Sequence, residues 1–144
     1  MTMTKEELAV KLEAHAKWLK TRYTDHVEGE RADLTGANLT GADLTGADLT
    51  DANLTRANLM DADLTDANLT CADLTDANLT RANLTDANLT RANLTGADLT
   101  DADLTGADLE HVWRASTLVW DAISATISAR IALKKTRIEW EDYE

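Results

Sequence analysis

Leucine occurs at every fifth position from Leu34 to Leu109, in sixteen consecutive units without an exception. Each unit places Ala two residues before the leucine and Asp or Asn immediately before it. Thr follows the leucine in fourteen of the sixteen units, and the fifth residue varies. A repeat this strict, extending over more than half of the chain, constrains the architecture more strongly than any single residue does.

A period of five residues fits neither an α-helix nor a straight strand. On a helix each residue advances by about 100°, so successive leucines would spread around the whole surface. On a strand side chains alternate, so an odd period would point successive leucines to opposite faces. The leucines become equivalent only if the chain turns once per unit. The pattern therefore predicts a solenoid of stacked coils, in which backbone groups pair from coil to coil.

Within one unit, parity decides which side chains face the interior. In the first unit Ala32 and Leu34 have the same parity and face inward, and Asp33 between them faces outward. Thr35 and Gly36 then form the corner. Asp and Asn suit such positions because their side chains bond nearby backbone groups at turns.

The segments ADLTGANLTGADLTGADL and DANLTRANLMDADLTDANL resemble pentapeptide-repeat proteins, and the resemblance covers residues 31–110. It implies an all-β solenoid, a right-handed quadrilateral parallel β-helix with about four units per coil and therefore about four coils. Several members of that family act on DNA gyrase, a type II topoisomerase, and alter quinolone sensitivity by imitating DNA. Those members commonly carry Phe at central positions and loops that break the coil, whereas residues 32–109 contain neither.

The sequence divides into a repeat and two flanking segments. We expect an N-terminal helical cap with its link over residues 1–30, the β-helix over residues 31–110 and a C-terminal cap over residues 111–144. Both caps are expected because an open coil exposes unpaired backbone and invites aggregation.

The N-terminal segment carries clear helix signals. Thr4 and Glu7 form a capping box, and apolar residues at helical spacing follow, which predicts a helix over residues 5–22 that covers the first coil. Gly29 is the expected turn in the link that follows. His15 and Trp18 are interpreted as packing residues, since no second His or Cys stands at metal-ligand spacing.

The C-terminal segment allows two interpretations. Apolar residues repeat every four positions from Val119 to Ile131, which favours a helix, whereas alternation from Ile123 to Lys134 favours a strand. The alanine content favours the helix, whereas Ile, Thr and Ser favour the strand, and we expect a helical cap. In either case the segment offers more apolar surface than one cap needs, which predicts a homodimer. The candidate self-association residues are Trp113, Trp120, Ile127 and Ile131.

Most of the negative charge lies on the repeat. The chain carries a net charge of −12, and residues 32–109 hold 14 Asp and 3 Arg, which leaves −11 on the solenoid. If each coil holds four units, one side has five carboxylates and no arginine, and each other side includes one arginine. The five carboxylates are Asp43, Asp63, Asp66, Asp86 and Asp103. They either bond nearby backbone and keep the coil soluble, or imitate nucleic-acid phosphates toward a basic groove.

The sequence contains no pattern that indicates catalysis. The three histidines do not combine with Ser and a carboxylate, no glycine-rich phosphate loop occurs, and Cys71 is the only cysteine, at a variable corner position. Carboxylates on a convex surface lack the pocket that acid–base chemistry needs. We therefore expect a non-enzymatic structural or protein-interaction scaffold with no cofactor and no metal. The alternative is an acidic DNA mimic that binds a type II topoisomerase or another DNA-binding protein.

The sequence also bears on partners and location. The N-terminus, MTMTKEELAV, lacks the apolar region of a secretory signal, and no uninterrupted apolar stretch is long enough to span a membrane. We expect a cytoplasmic protein with an unidentified protein partner and no direct contact with nucleic acid or membrane.

Overall fold

The computed structural model of the chain describes residues 3–112. Within that range it has one helix, α1 at Lys5–Thr21, followed by a parallel β-solenoid from residue 32 onward. No helix in that range is long and apolar enough to cross a bilayer. The predicted C-terminal cap lies outside the described residues, apart from its first two positions. Its self-association residues Trp113, Trp120, Ile127 and Ile131 also lie outside them.

The solenoid has a register of twenty residues. Twelve parallel bridges join outward-facing Asp or Asn residues twenty positions apart, from Asp33 with Asn53 to Asn88 with Asp108. Twenty residues are four five-residue units, so each coil has four sides. Each side contributes one bridged residue rather than a longer strand, because the rest of each unit forms the corner. We refer to residues 32–51, 52–71, 72–91 and 92–111 as coils 1 to 4.

Backbone hydrogen bonds connect the coils in a fixed pattern. The Leu34 N–H donates to the Asn53 carbonyl at 2.8 Å, and the Asn53 N–H donates to the Ala32 carbonyl at 2.9 Å. A further bond joins the corners, where the Gly36 N–H donates to the Thr55 carbonyl at 2.8 Å. These bonds pair the main-chain groups that an isolated coil would leave exposed.

Every corner is a tight turn with a left-handed residue. In the first unit the Ala37 N–H donates to the Leu34 carbonyl at 3.0 Å, and Gly36, the third residue of the turn, has φ 62°. A positive φ at that position is characteristic of a type II turn. The equivalent residue has positive φ in all sixteen units, and in eleven of them it is not glycine, with φ between 56° and 59°. The period predicted the corner but not this conformation.

The interior is filled by the two inward-facing residues of each unit. All sixteen leucines are buried, and fourteen of the sixteen alanines are buried with them. The two exceptions are Ala42 and Ala47 in coil 1, which are half-buried and still pack on the core. The narrow bore is thus continuous from coil 1 to coil 4.

Helix α1 begins at the capping box that the sequence predicts. The Thr4 Oγ1 accepts the Glu7 N–H at 3.1 Å, and the Glu7 Oε2 accepts the Thr4 N–H at 2.8 Å. These bonds satisfy donors that a helix N-terminus otherwise leaves free. Leu8 is buried in the same core as the repeat leucines, and Leu12 packs against it. The helix therefore lies on coil 1.

Polar contacts join this N-terminal segment to the first coil. The Lys11 Nζ donates to the Asp33 carbonyl at 3.0 Å, and the Met3 N–H donates to the Asn38 carbonyl at 3.3 Å. In later coils the equivalent carbonyls accept backbone N–H groups from the coil before, as when the Asn53 carbonyl accepts the Leu34 N–H. The segment thus supplies donors where coil 1 has no preceding coil.

Candidate protein-interaction surface

The outward-facing Asp and Asn side chains hold the corners. In every unit the Oδ1 atom accepts the N–H of the residue two positions later. In most units it also accepts the threonine hydroxyl, as when Asp63 accepts the Thr65 N–H at 3.0 Å and the Thr65 hydroxyl at 2.6 Å. This explains why Thr follows Leu so regularly, since its hydroxyl completes the turn.

Three of the five predicted acidic residues lie in one outward column. Bridges join Asp43 to Asp63, Asp63 to Asn83 and Asn83 to Asp103, so Asn83 separates the last carboxylate from the first two. Asp66 and Asp86 lie at the adjoining corner, twenty residues apart and exposed, with φ 57° and 56°. We call Asp43, Asp63, Asp66, Asp86 and Asp103 the acidic side.

The corners of the other three sides carry ion pairs. Arg81 binds Asp61 of the preceding coil through two bonds of 2.7 Å, Nε to Oδ1 and Nη2 to Oδ2. The three pairs are Arg81–Asp61, Arg56–Asp76 at 3.9 Å, and Arg22–Asp51, which joins the end of α1 to coil 1. The corner of the acidic side holds Gly46, Asp66, Asp86 and Gly106 in successive coils, so its corner column contains no basic residue. The acidic side is therefore the side whose corner carboxylates have no arginine in their own corner column.

Local hydrogen bonds keep one end of this side ionised. The Thr45 side chain and then its backbone N–H hold the pKa of Asp43 below its ordinary value, and the Lys5 ammonium lowers it further. At the other end the Asp86 carboxylate lies over Gly106, where a Cβ atom would collide with it. The glycine of coil 4 thus leaves room for a carboxylate that belongs to coil 3.

The other residues considered from the sequence lie away from this side. Cys71 is exposed at a corner of coil 2, with φ 58°. His15 is a buried residue of α1 and stacks on Trp18, with the ring centroids 5.6 Å apart. Among residues 3–112 no three His, Cys, Asp or Glu side chains come close enough together to hold a metal ion.

Two features of the surface escaped the sequence reasoning. The contact between Arg22 and Asp51 joins positions 29 residues apart, and no repeat signal links them. The left-handed corners had a signal, because five of the sixteen variable positions are glycine, the residue that adopts positive φ most readily. That signal would have indicated one backbone conformation for all sixteen corners.

The chain matches the profile of the family described as pentapeptide repeats, with 8 copies over residues 30–66, 57–96 and 72–110. It is similar to the crystal structure of HetL, a pentapeptide repeat protein involved in heterocyst differentiation regulation from the cyanobacterium Nostoc sp. strain PCC 7120. The identity is 46% and the TM-score 0.57, over 58% of this chain and 39% of HetL. It therefore spans well under half of that relative.

A second solved structure is alr5209, a pentapeptide repeat protein from Nostoc PCC 7120. It is 36% identical with a TM-score of 0.55, over 64% of this chain and 83% of alr5209. No curated protein sequence matches the chain. The matched profile covers more than half of the residues, and similarity to these proteins implies the right-handed, four-sided β-helix. The chain belongs to the pentapeptide-repeat family.

Proposed function

We propose that this chain is a non-enzymatic scaffold whose acidic side binds a basic surface on a protein partner. In this proposal residues 31–110 form a rod of four coils, residues 1–30 cap its first coil, and residues 111–144 cover the other end. The leucine-filled bore supports a role carried by the outer surface, because side chains occupy the interior completely.

The distribution of corner charge carries the proposal. Each of the other three sides pairs one corner carboxylate with Arg22, Arg56 or Arg81, whereas the acidic side stacks Asp66 and Asp86 one coil apart. Like charges at that spacing repel, and an arginine at either position would relieve the repulsion as it does elsewhere. An uncompensated stripe of charge steers association with a surface of opposite sign, which supports this side as the docking face.

A matched pair of charge variants tests the proposal. Asp66→Asn with Asp86→Asn removes two charges from the acidic side, and Asp76→Asn with Asp101→Asn removes two from corners of other sides. Proteins captured by the wild-type chain should be lost with the first variant and retained with the second. Capture should also weaken in about 0.5 M salt, which screens exposed charges within a few ångströms. Equal capture by both variants would contradict the acidic side as the docking face.

A DNA mimic is the second candidate. Bridged stacking of Asp43 on Asp63, with Asp103 beyond the neutral Asn83, gives the side a row of charge. The partner would be the basic DNA-binding groove of a type II topoisomerase. The chain in excess should then inhibit supercoiling by gyrase, and the Asp66→Asn, Asp86→Asn variant should inhibit less. Unchanged supercoiling would contradict the DNA mimic. The capture experiment would still test whether the acidic side binds a different basic partner.

Self-association is a separate proposal that rests on sequence outside the described residues. The apolar residues Trp113, Trp120, Ile127 and Ile131 would bury against a second copy. Light scattering at micromolar concentration should then give about twice the monomer mass of 15.7 kDa. A mass near that of one chain would remove the dimer.

A further inference from the structure

His15 connects helix α1 to the entrance of the solenoid. Its side chain is 0% exposed, and its Nδ1 atom accepts the Ala32 N–H at 3.0 Å. Ala32 is the first residue of coil 1, so this bond lies where the chain enters the stack. An Nδ1 atom that accepts a hydrogen bond carries no proton, which makes the bound form of the ring neutral.

A second proton on this ring would have to enter at Nδ1, the atom toward which the Ala32 N–H already points. The Nε2 atom, which carries the proton of the neutral ring, is buried near the Thr50 backbone and forms no hydrogen bond with the described residues. Trp18 covers one ring face in a stack tilted by only 14°. A protonated ring would turn an N–H toward the Ala32 N–H and bury a positive charge, both of which are costly.

Charged groups from both elements face the ring. The Asp48 and Asp51 carboxylates of coil 1 and the Thr50 backbone favour the protonated ring, whereas Arg22 at the end of α1 disfavours it. Burial is the largest influence and also disfavours protonation, so the pKa of His15 lies below its ordinary value. Asp51 is already bound to Arg22, which weakens its attraction for a second cation.

We propose that His15 is a proton-operated latch, whose protonation breaks its bond to Ala32 and releases α1 from coil 1. Release would take Lys11 and Met3 away from the carbonyls that they cover at Asp33 and Asn38. The opened coil would then present free backbone acceptors and the edge of the leucine bore, the kind of edge that pairs with another chain. The state of this end of the rod would thus depend on pH.

The direction of the pH effect follows from the lowered pKa. In the released helix His15 would titrate near its ordinary value of about 6.5, above the value it has when α1 is docked. The released state therefore binds more protons, so docking is strongest above about pH 6.5 and weakens as the pH falls below it. The equilibrium constant for release should rise by up to about tenfold per pH unit in that window.

Hydrogen exchange of the full chain, followed by NMR between about pH 7.5 and pH 5, tests the latch. The protection factor of the Ala32 amide should fall by up to about tenfold per pH unit below about pH 6.5. The Leu64 amide, which donates to the Asn83 carbonyl at 2.7 Å inside the stack, should keep its protection. Protection of Ala32 that stays constant with pH would overturn the proposal.

Variants separate the latch from general acid sensitivity. His15→Asn keeps an acceptor near the Nδ1 position and cannot be protonated, so Ala32 protection should become independent of pH. His26→Asn removes an exposed histidine of the link and should behave as the wild type does. If His15→Asn prevents docking of α1 at every pH, the pKa of His15 measured in the wild-type chain tests the latch instead. A pKa at or above the ordinary value, with Ala32 still protected, would overturn the latch.

Discussion

At the scale of single residues, the corners are where the repeat stores strain. A left-handed backbone costs a non-glycine residue about 1–2 kcal/mol, and eleven corners carry such residues. Arg81 and Asp61 gain an ion pair in exchange, and Asp51 gains a contact with Arg22. Cys71 has no comparable contact among the described residues, so its corner bears the cost without compensation.

Exchanges between glycine and other residues at two corners should change stability in opposite directions. Cys71→Gly should raise the free energy of unfolding by about 0.5–1 kcal/mol, the relief of strain less the extra freedom of glycine in the unfolded chain. Gly41→Ala should lower it by about 1 kcal/mol, because an added Cβ there meets no atom within 4 Å and only the backbone strain remains. Denaturant unfolding measures both.

Cys71→Ala is the matched control for the first exchange. It removes the thiol and keeps the Cβ atom, so its stability should stay close to that of the wild type. If Cys71→Ala stabilises the chain as much as Cys71→Gly does, the gain comes from loss of the thiol and not from the backbone.

At the scale of the elements, the sequence specified what repetition and local signals can specify. The capping box at Thr4 placed the start of α1, and parity separated the inward Leu from the outward Asx in every unit. The contacts of α1 on coil 1 could not be predicted, because His15 and Ala32 meet through one unrepeated hydrogen bond. Such single contacts depend on the three-dimensional path of the link.

The outward columns show a gradient from the ends to the middle. Coils 2 and 3 carry six Asn and two Asp at the bridged positions, whereas coils 1 and 4 carry two Asn and six Asp. An Asn can donate to the coil before it, as when the Asn83 Nδ2 donates to the Thr65 hydroxyl at 2.9 Å. An ionised Asp has no donor, and it repels the carboxylates stacked on either side. The middle of the stack therefore favours Asn.

Replacement of Asn83 by Asp should destabilise the rod. Asn83→Asp loses the bond to Thr65 and places a carboxylate between Asp63 and Asp103. The free energy of unfolding should fall by about 1 kcal/mol, and by more at low salt, where repulsion is less screened. Asp63→Asn is the reverse change and should not destabilise the chain. If the free energy of unfolding that Asn83→Asp loses does not vary with salt, repulsion between carboxylates does not contribute to the loss.

At the scale of the whole molecule, charge affects the stability of the rod in two opposite ways. The net charge of −12 favours expansion through self-repulsion, yet many carboxylates accept hydrogen bonds that favour their ionised form. Asp33 and Asp98 illustrate the second effect, since the hydroxyl and then the N–H of the threonine two residues later lower the pKa of each. The balance between these effects determines how the rod responds to acid.

Acid should therefore lower the stability of the rod, because the loss of these hydrogen bonds outweighs the relief of self-repulsion. The pKa values of Asp33, Asp43 and Asp98 are lowered mainly by threonine side chains, and that of Asp61 by its bond to Arg81. These groups bind protons more readily in the unfolded chain, so their stabilisation is present above about pH 3.9 and is lost as the pH falls through their lower folded values. Thermal unfolding followed by circular dichroism should give a lower midpoint near pH 3 than near pH 5. A higher midpoint near pH 3 would mean that relief of self-repulsion outweighs the hydrogen bonds.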